Sequence, residues 1–259
     1  MYALHSLLVG YQNRETTPSQ WNLICSTFKS VGKAADAITL GDLKPNELWS
    51  YWDGDTVQLL DDGGGTRQRE DDLPALYTYI TEVDGAPADG WYQFDKAYNE
   101  GEYISADSES LIYGEGFVIT VANEGAGMMF SGEVPKGPQS FLINKEGWNL
   151  IGNALPVATT LANVTPNESY GYWDGDTIQF LDEGGGTRQR EDGLPALYTY
   201  ITVGDGAPAD GWYQFDKAYN EGEFIAPEDE DFQLAAGKAF VVTVSNPETC
   251  IQFPAAIAE

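Results

Sequence analysis

The hydrophobic positions of this chain fall in short runs that Gly, Asp, Asn and Pro separate, as in Thr56–Leu60, Leu76–Thr81 and Phe117–Val121. These runs are rich in β-branched and aromatic residues, and several alternate apolar with polar positions, which predicts strands. The Asp-Gly and Gly-Gly pairs between them supply the positive φ of tight hairpin turns. Because no window sustains a helical period, the pattern predicts an all-β fold with helix only in short pieces.

A long stretch of this pattern occurs twice. Residues 51–103 recur as residues 172–224 at a fixed offset of 121, and 46 of the 53 aligned positions are identical. The likeness continues more weakly on both sides, from an opening WNLI segment (Trp21 and Trp148) to a closing apolar strand (Phe117 and Phe240). An internal repeat of this length predicts two copies of one domain.

The boundary between the copies is expected in the Pro/Gly-rich stretch at residues 133–138. We therefore predict a first domain over residues 1–134, which includes an N-terminal strand, and a second domain over residues 135–259. Each is large enough for its own core. Short strands with turns between them are typical of sandwiches and barrels, and the fold we expect is two tandem, duplicated β-sandwich-like domains.

The composition is strongly acidic, with 41 Asp and Glu against 13 Lys and Arg and a formal charge of −28. Such a field repels phosphate backbones, which argues against nucleic-acid binding. No apolar run approaches the length of a membrane span. The two cysteines, Cys25 and Cys250, stand at non-equivalent positions of the repeat, so no disulfide framework is indicated and their pairing is open.

Each copy has an opening WNLI strand, a central YWDG and a closing strand, which in the second copy is LAAGKAFV at residues 234–241. This order resembles the "GWNLISLP … WDG … L-x-PG-x-GYWV" modules of large bacterial surface and secreted proteins. The Leu-Pro of those modules is absent from the first copy, where Cys25–Thr27 stands, and comes late in the second, at Leu155–Pro156. The resemblance implies a β-sandwich adhesion or display unit at the cell surface, and it implies no catalytic role.

The chain lacks the residues of the common catalytic sites. His5 is the single histidine and lies outside both copies, which argues against Ser/His/Asp and Cys/His triads and against Cys/His zinc sites. Gly63–Arg67 is glycine-rich, but two aspartates precede it and would repel a phosphate, so a flexible hairpin tip is the better interpretation. Paired carboxylates of the glycosidase kind stay open as an alternative. We predict that the protein is not an enzyme.

Four acidic residues in the repeated Asp-Gly-Asp turns are candidates for a calcium site, the one cofactor that the sequence suggests. Hard oxygen ligands on β-turns suit Ca²⁺. The alternative is that the same Asp-Gly pairs form hairpin turns without a metal. The four positions are Asp53 and Asp55 in the first copy and Asp174 and Asp176 in the second.

Repeated aromatic residues are candidates for binding. Flat rings beside Asp, Asn and Gln build many sugar sites, and they also build cores and protein interfaces. Trp91 and Tyr92 follow a turn, so we expect them to be exposed. The candidates for a sugar or protein site are Trp52, Trp91 and Tyr92 with their equivalents Trp173, Trp212 and Tyr213.

Two further features suggest assembly. The arginines of the repeated block are expected to pair with carboxylates, either in the same domain or on a neighbouring subunit. The N-terminal strand either closes its own domain or pairs with the open sheet edge of a neighbour. The residues concerned are Arg67, Arg69, Arg188 and Arg190, and Leu7, Leu8 and Val9.

Two like surfaces on one chain permit head-to-tail contacts that grow into a filament or a sheet. The function we expect is therefore a structural subunit of a bacterial extracellular or cell-surface assembly, with copies of the same chain as partners in a homo-oligomer or polymer. The alternative is a carbohydrate-binding or adhesion module that uses the duplicated aromatic loops, with a polysaccharide as partner. Both place the protein outside the cell or at its surface.

Overall fold

The computed structural model describes residues 9–31, 37–143 and 146–256, and the elements of its two halves meet near residue 134. The strands of the first half are β1 Val9–Glu15, β2 Asn22–Cys25, β3 Ala37–Thr39, β4 Lys44–Pro45, β5 Thr56–Gln58, β6 Leu76–Ile80, β7 Gly90–Gln93, β8 Ser110–Ile112, β9 Gly116–Thr120 and β10 Gly127–Glu133. The strands of the second half are β11 Gln139–Ile143, β12 Gly147–Gly152, β13 Thr159–Thr160, β14 Thr165–Pro166, β15 Thr177–Gln179, β16 Leu197–Ile201, β17 Gly211–Gln214, β18 Gln233–Leu234, β19 Ala239–Val244 and β20 Thr249–Phe253.

Helical structure is confined to short pieces. The first half has a π-helix at Lys96–Glu100, and the second half has α1 Phe215–Glu221 and α2 Asp229–Phe232. Single 3₁₀ turns lie at Leu40–Asp42, Tyr51–Asp53, Glu82–Asp84, Leu161–Asn163, Tyr172–Asp174 and Val203–Asp205.

The two halves repeat one topology of antiparallel sheets. In the first half the strand orders are β2-β9-β5-β6-β7, β1-β10-β4 and β3-β8. In the second half they are β12-β19-β15-β16-β17, β11-β20-β14 and β13-β18. The same strand order in both halves is the outcome that the internal repeat predicts.

The mostly β character of the chain is confirmed, since 15% of it is helical, but the expectation of two sandwich domains is wrong. The sheets are small and are arranged like the four blades of a propeller. The reason lies in the lengths of the strands. The segment between β5 and β6 forms two tight hairpins, closed at Leu60–Thr66 and Gln68–Pro74, instead of continuing a long strand. These hairpins take up residues that longer strands would need, and the strands are divided among several small sheets.

Each half has its own main apolar core. The first is centred on fully buried rings such as Tyr77 and Phe117, and the second on Tyr198 and Phe240. These cores lie on either side of residue 134, where the sequence predicts the boundary.

The N-terminal strand closes its own half. β1 pairs with β10 over its whole length, from Val9 opposite Glu133 to Glu15 opposite Gly127. β11 pairs with β20 in the same manner in the second half. Of the strand's three candidate interface residues, Leu7 and Leu8 lie outside the described residues, and Val9 begins β1.

The halves contact each other through strands β2 and β9 of the first and β12 and β19 of the second; we call this contact the seam. Among the described residues, an equivalent pair of backbone hydrogen bonds crosses the seam: the N–H of Cys25 donates to the carbonyl of Gly237 at 3.0 Å, and the N–H of Gly152 donates to the carbonyl of Gly114 at 3.1 Å. Cys25 and Gly152 are equivalent positions of the repeat, as are Gly237 and Gly114. The seam therefore has an approximate twofold axis.

The glycine-rich hairpin of each half packs on a tryptophan of the other. A Cβ atom on Gly64 would lie 2.7 Å from the ring of Trp148, and one on Gly185 would lie 2.7 Å from the ring of Trp21. The N–H of Trp148 also donates to the carbonyl of Asp62 at 2.9 Å, beside Gly64. The interpretation of Gly63–Arg67 as a flexible tip is therefore wrong, because the tip is held in the seam.

Equivalent residues meet each other at the axis itself. A Cβ on Gly152 would lie 2.6 Å from the Sγ of Cys25, and a Cβ on Gly116 would lie 3.1 Å from the Cβ of Ala239. Both cysteines are free thiols, and burial raises the pKa of Cys25 to about 12. Cys25 therefore serves the seam as a small packed side chain.

Candidate functional site

The most prominent surface feature of the repeated block is a group of three rings, the exposed Trp52 and Tyr98 and the half-buried Phe94, which we call the aromatic face. Trp52 is 58% exposed and Tyr98 is 45% exposed. The rings of Phe94 and Tyr98 are stacked with their centroids 5.2 Å apart, and Trp52 lies 6.1 Å from Tyr98. The three rings thus form one continuous apolar surface that is open to solvent.

The second half carries the same aromatic face, formed by Trp173, Phe215 and Tyr219. Trp173 is 60% exposed and Tyr219 is 45% exposed. The centroids of Phe215 and Tyr219 are 5.4 Å apart, and those of Trp173 and Tyr219 are 5.7 Å apart. The chain therefore presents two copies of one surface.

The turn that carries Trp52 packs on a buried ring on its inner side. Tyr51 is buried next to Trp52, with ring centroids 4.1 Å apart, and burial raises the pKa of its hydroxyl to about 12. Gly54 ends the turn with φ +84°, a left-handed conformation that favours glycine. The buried ring and the glycine together force the neighbouring Trp52 outward.

Asp55 fixes this turn to the rest of the half. Its side chain is fully buried, and its carboxylate accepts hydrogen bonds from the backbone N–H of Ser50 at 2.9 Å and of Ala122 at 2.8 Å. Burial raises the pKa of Asp55, although these two hydrogen bonds act in the opposite direction. Asp176 is held in the same way by Gly171 and Ser245.

The candidate calcium ligands therefore have partners within the chain. Both oxygens of Asp55 accept from backbone groups, and Asp53 accepts from the side-chain amide of Asn123 at 2.8 Å. Asp174 accepts from Asn246 at 3.1 Å. Within residues 9–31, 37–143 and 146–256, no group of three or more His, Cys, Asp or Glu is arranged to hold a metal ion. Asp53 and Asp174 end 3₁₀ turns that connect strands of different sheets, so these Asp-Gly pairs form turns but not hairpins, and calcium binding stays a prediction.

Tyr98 and Tyr219 lie on short helices. Each helix has a side-chain hydrogen bond at its N-terminus and an ion pair between residues four apart. The side chain of Gln93 accepts from the N–H of Lys96 at 2.8 Å, and Lys96 pairs with Glu100 at 2.8 Å. Gln214, Lys217 and Glu221 repeat this arrangement in the second half. Both tyrosines are thus presented by a rigid element.

Beside Trp173 lies an open cavity of about 380 Å³ in which polar groups are mixed with aromatic rings. Its wall includes the polar side chains of Asn167, Glu168 and Asp205 together with the ring of Tyr200. A cavity with rings on one side and carboxylate and amide groups on the other can both stack on a ligand and hydrogen-bond it.

The expectation that Trp91 and Tyr92 are exposed is wrong. Trp91 is 0% exposed, and its indole N–H donates to the carbonyl of Leu43 at 3.3 Å. Tyr92 is 5% exposed, and its hydroxyl donates to the carbonyl of Ala88 at 2.8 Å. Trp212 and Tyr213 are buried in the same way. The turn that precedes each pair leads directly into β7 or β17, the last strand of its five-stranded sheet, and both faces of that strand are buried, which the sequence alone does not show.

The four arginines pair with carboxylates of their own half. Arg67 contacts Glu109 at 2.8 Å, and Arg69 contacts Asp71 at 3.1 Å. In the second half Arg188 contacts the fully buried Asp231 at 2.5 Å, and Arg190 contacts Asp192 at 3.1 Å. Of the two alternatives that the sequence left open, the structure shows the one within the chain.

Comparison of the chain with protein-family models, with curated proteins and with solved structures gave no match. No helix in the described part of the chain is both long and apolar enough to cross a membrane.

Tyr98 and Phe94 are the members of the aromatic face that were not singled out from the sequence. The signal that could have found them is the spacing of four between Phe94 and Tyr98 in a helical piece, because residues four apart lie on the same face of a helix.

Proposed function

We propose that this protein binds a neutral polysaccharide through its two aromatic faces, as an adhesion module outside the cell or at its surface. The observation that carries the proposal is the occurrence, twice on one chain, of a contiguous group of two exposed rings and one half-buried ring, on elements held by hydrogen bonds and ion pairs. Apolar surface of this kind on a soluble chain marks a binding site more often than a solvated face.

The chemistry of the aromatic face suits a sugar. The C–H groups of a pyranose ring pack on flat aromatic rings, and its hydroxyls need donors and acceptors at the rim. In the second half Trp173 supplies the ring, and Asn167 and Asp205 line the adjoining cavity. With a formal charge of −28, the protein repels an anionic polymer, which favours a neutral one.

Two sites on one chain bind a repetitive polymer more tightly than one site does. Once one face has bound a polymer, the other meets the same polymer at a high effective concentration, and avidity can exceed the affinity of either face by roughly 10² to 10⁴. A weak sugar site is therefore useful when it is duplicated.

The test compares Trp52→Ala, Trp173→Ala and the double variant for retention on a panel of neutral polysaccharides. We expect each single variant to keep weak binding and the double variant to lose it. Because both side chains are exposed, the melting temperature should stay near that of the wild type. Tyr11→Ala, which removes a ring that is 76% exposed on β1, is the matched control and should bind normally. Normal retention of the double variant on every polysaccharide that retains the wild type would refute the proposal.

A structural subunit of a filament or surface layer is the second candidate. It is favoured by β1 and β11, which each lie at the edge of a three-stranded sheet and leave one side of the strand for pairing with another chain. Tyr11 and Leu142, which is 59% exposed, lie on these two strands.

Sedimentation and negative-stain microscopy of the wild type and of Tyr11→Lys/Leu142→Lys test this candidate. Assemblies of the wild type that the double variant cannot form would support it. A wild-type chain that stays monomeric at millimolar concentration would exclude it.

A further inference from the structure

We propose that the first half contains a binding site for an acidic peptide segment, in an open cavity of about 470 Å³ at Arg67 and Arg69. We call it the arginine cavity; its wall is formed by Arg67, Gln68, Arg69, Glu70, Asp71 and Glu109. The inference rests on the second half, where the equivalent arginines hold a segment of the chain itself.

In the second half Glu228 brings a carboxylate to the equivalent position. It accepts a hydrogen bond from the backbone N–H of Glu191 at 2.9 Å. It also lies 3.5 Å from Arg188 and 3.8 Å from Arg190. One backbone donor and two guanidinium groups thus surround a single carboxylate, which is a strong arrangement for an anion.

The same segment also provides hydrogen-bond partners for Arg190 and Tyr198. Arg190 donates from Nη1 to the hydroxyl of Tyr198 at 3.0 Å and to the carbonyl of Ala226 at 3.2 Å. Tyr198 in turn donates to Asp231 at 2.5 Å. Both the guanidinium of Arg190 and the phenol of Tyr198 are therefore satisfied.

The first half lacks the segment that does this. Four residues (106–109) connect Ser105 to β8, where six residues (227–232) connect Ala226 to β18. Glu109 takes the place of Asp231 beside Arg67, at 2.8 Å. The carboxylates that pair with Arg67 and Arg69 among the described residues are those of Glu109, Glu115 and Asp71, and none of them is bound by the N–H of Glu70 as Glu228 is by that of Glu191. Among the described residues, the buried Nη1 of Arg69 makes no hydrogen bond. The hydroxyl of Tyr77 faces Glu109, as that of Tyr198 faces Asp231.

The donors that hold Glu228 are all present in the first half. Residues 67–71 are identical to residues 188–192. The turn is the same as well. The backbone N–H of Asp72 donates to the carbonyl of Arg69 at 3.1 Å, and the backbone N–H of Gly193 donates to the carbonyl of Arg190 at 3.0 Å. An incoming carboxylate can therefore accept from the N–H of Glu70 and pair with both arginines.

A peptide is the occupant that the comparison favours. In the second half one segment, residues 226–232, supplies carboxylates that pair with both arginines and a main-chain carbonyl that accepts from Arg190. The acidic side chains of Glu70, Asp71 and Glu109 also line the arginine cavity, so binding should be modest and should depend on salt.

The experiment titrates the ¹⁵N-labelled full chain with the capped peptide Ala-Pro-Glu-Asp-Glu-Asp-Phe, which copies residues 226–232. We expect saturable binding of one peptide per chain, with the largest shifts at the N–H of Glu70 and the guanidinium of Arg69. The peptide with E228Q should bind about tenfold more weakly, as should Arg69→Met with the unchanged peptide.

Glu70→Pro and Glu70→Ala form a matched pair that does not depend on the arginines. Position 70 is the second residue of a tight turn, where proline is accepted, so the two variants differ mainly in the N–H donor. Glu70→Ala should bind at least as well as the wild type, because it removes a repelling charge, and Glu70→Pro should bind several-fold more weakly than Glu70→Ala. The proposal is overturned by equal binding of these two variants, by the absence of saturable shifts, or by binding of an oligogalacturonate where the peptide does not bind.

Discussion

The two halves of this chain are nearly identical in the residues of the aromatic face, and they differ at the twofold axis of the seam and in the segment that fills the arginine cavity in the second half only. The aromatic face, its supporting turn and the buried Asp55 or Asp176 recur without change in residue type. The seam instead pairs Cys25 with Gly152, and the arginine cavity has Glu228 in one half only. The halves therefore differ at the twofold axis and in the segment that follows Ser105 or Ala226, whereas the arginine residues of the cavity are the same in both.

The comparison predicts its largest effect at the seam. Gly64→Ala and Gly185→Ala each place a Cβ 2.7 Å from a tryptophan ring at a residue with φ of +80° and +82°. Left-handed strain and overpacking together should lower the free energy of unfolding by about 2 to 4 kcal/mol in each variant. Chemical denaturation measures this. Gly63→Ala is the control in the same hairpin, since its Cβ would meet only Asp61 at 3.4 Å. A large difference between Gly64→Ala and Gly185→Ala would contradict the twofold arrangement.

A smaller effect is expected at the turns below the aromatic faces. Asp55→Asn replaces one acceptor oxygen by an NH₂ group that faces a backbone donor. The loss should be about 1 to 3 kcal/mol, and Asp176→Asn should lose the same amount. Asp53→Asn, which changes an exposed carboxylate, should lose less than about 0.5 kcal/mol. An unaffected Asp55→Asn would show that the turn is held by other contacts.

The same carboxylates predict a dependence on pH. Burial raises the pKa of Asp55 and Asp176 above the ordinary value of 3.8, so the native state binds these protons more tightly than the unfolded state. Their contribution to the free energy of unfolding is therefore fully present below the unfolded pKa and is lost as the pH rises through the folded pKa. The difference in unfolding free energy between the wild type and Asp55→Asn/Asp176→Asn should shrink between about pH 3 and pH 7. A constant difference would argue against raised pKa values.

The smallest effect is expected at a position where the repeated block itself differs. Asp72 has φ +62°, and its equivalent Gly193 has φ +80°. Glycine adopts this conformation at no steric cost, whereas aspartate carries a modest one. Asp72→Gly should therefore stabilise the chain, and Gly193→Asp should destabilise it, each by about 0.5 to 1 kcal/mol. Thermal unfolding of the two variants checks the sign, and shifts of the same sign would contradict the argument.

The internal repeat predicts the same topology for both halves, and the short apolar runs with Gly and Asp between them predict a mostly β structure. Both predictions could be made from the sequence. The arrangement of the sheets did not follow, because the pattern of a strand does not state which sheet it joins. Tyr51 and Trp52 show the same limit at a site: they are adjacent aromatic residues, yet one is buried and the other exposed. Their different exposure results from the 3₁₀ turn, which Gly54 and Asp55 fix and which directs one ring into the core and the other into solvent.

The seam shows a different limit. WNLI and the glycine-rich hairpin occur once in each half, which is the pattern expected of two elements that contact each other across a twofold axis. Each was interpreted within its own half, where the glycines indicate a turn and the tryptophan a strand. Contacts between residues about 80 to 160 positions apart are set by packing, and a single sequence carries no local signal for them.

The contacts at the twofold axis bear on why the two copies are joined in one polypeptide. In a symmetric homodimer of single copies, a residue on the axis meets its own copy, so a cysteine would face a cysteine and a glycine would face a glycine. The cysteine pair would be too large for the space at the axis, and the glycine pair would leave a gap. In the fused chain a larger residue faces a smaller one, Cys25 against Gly152 and Ala239 against Gly116. Joining the copies into one polypeptide thus permits a close-packed axis that two separate, identical subunits could not form.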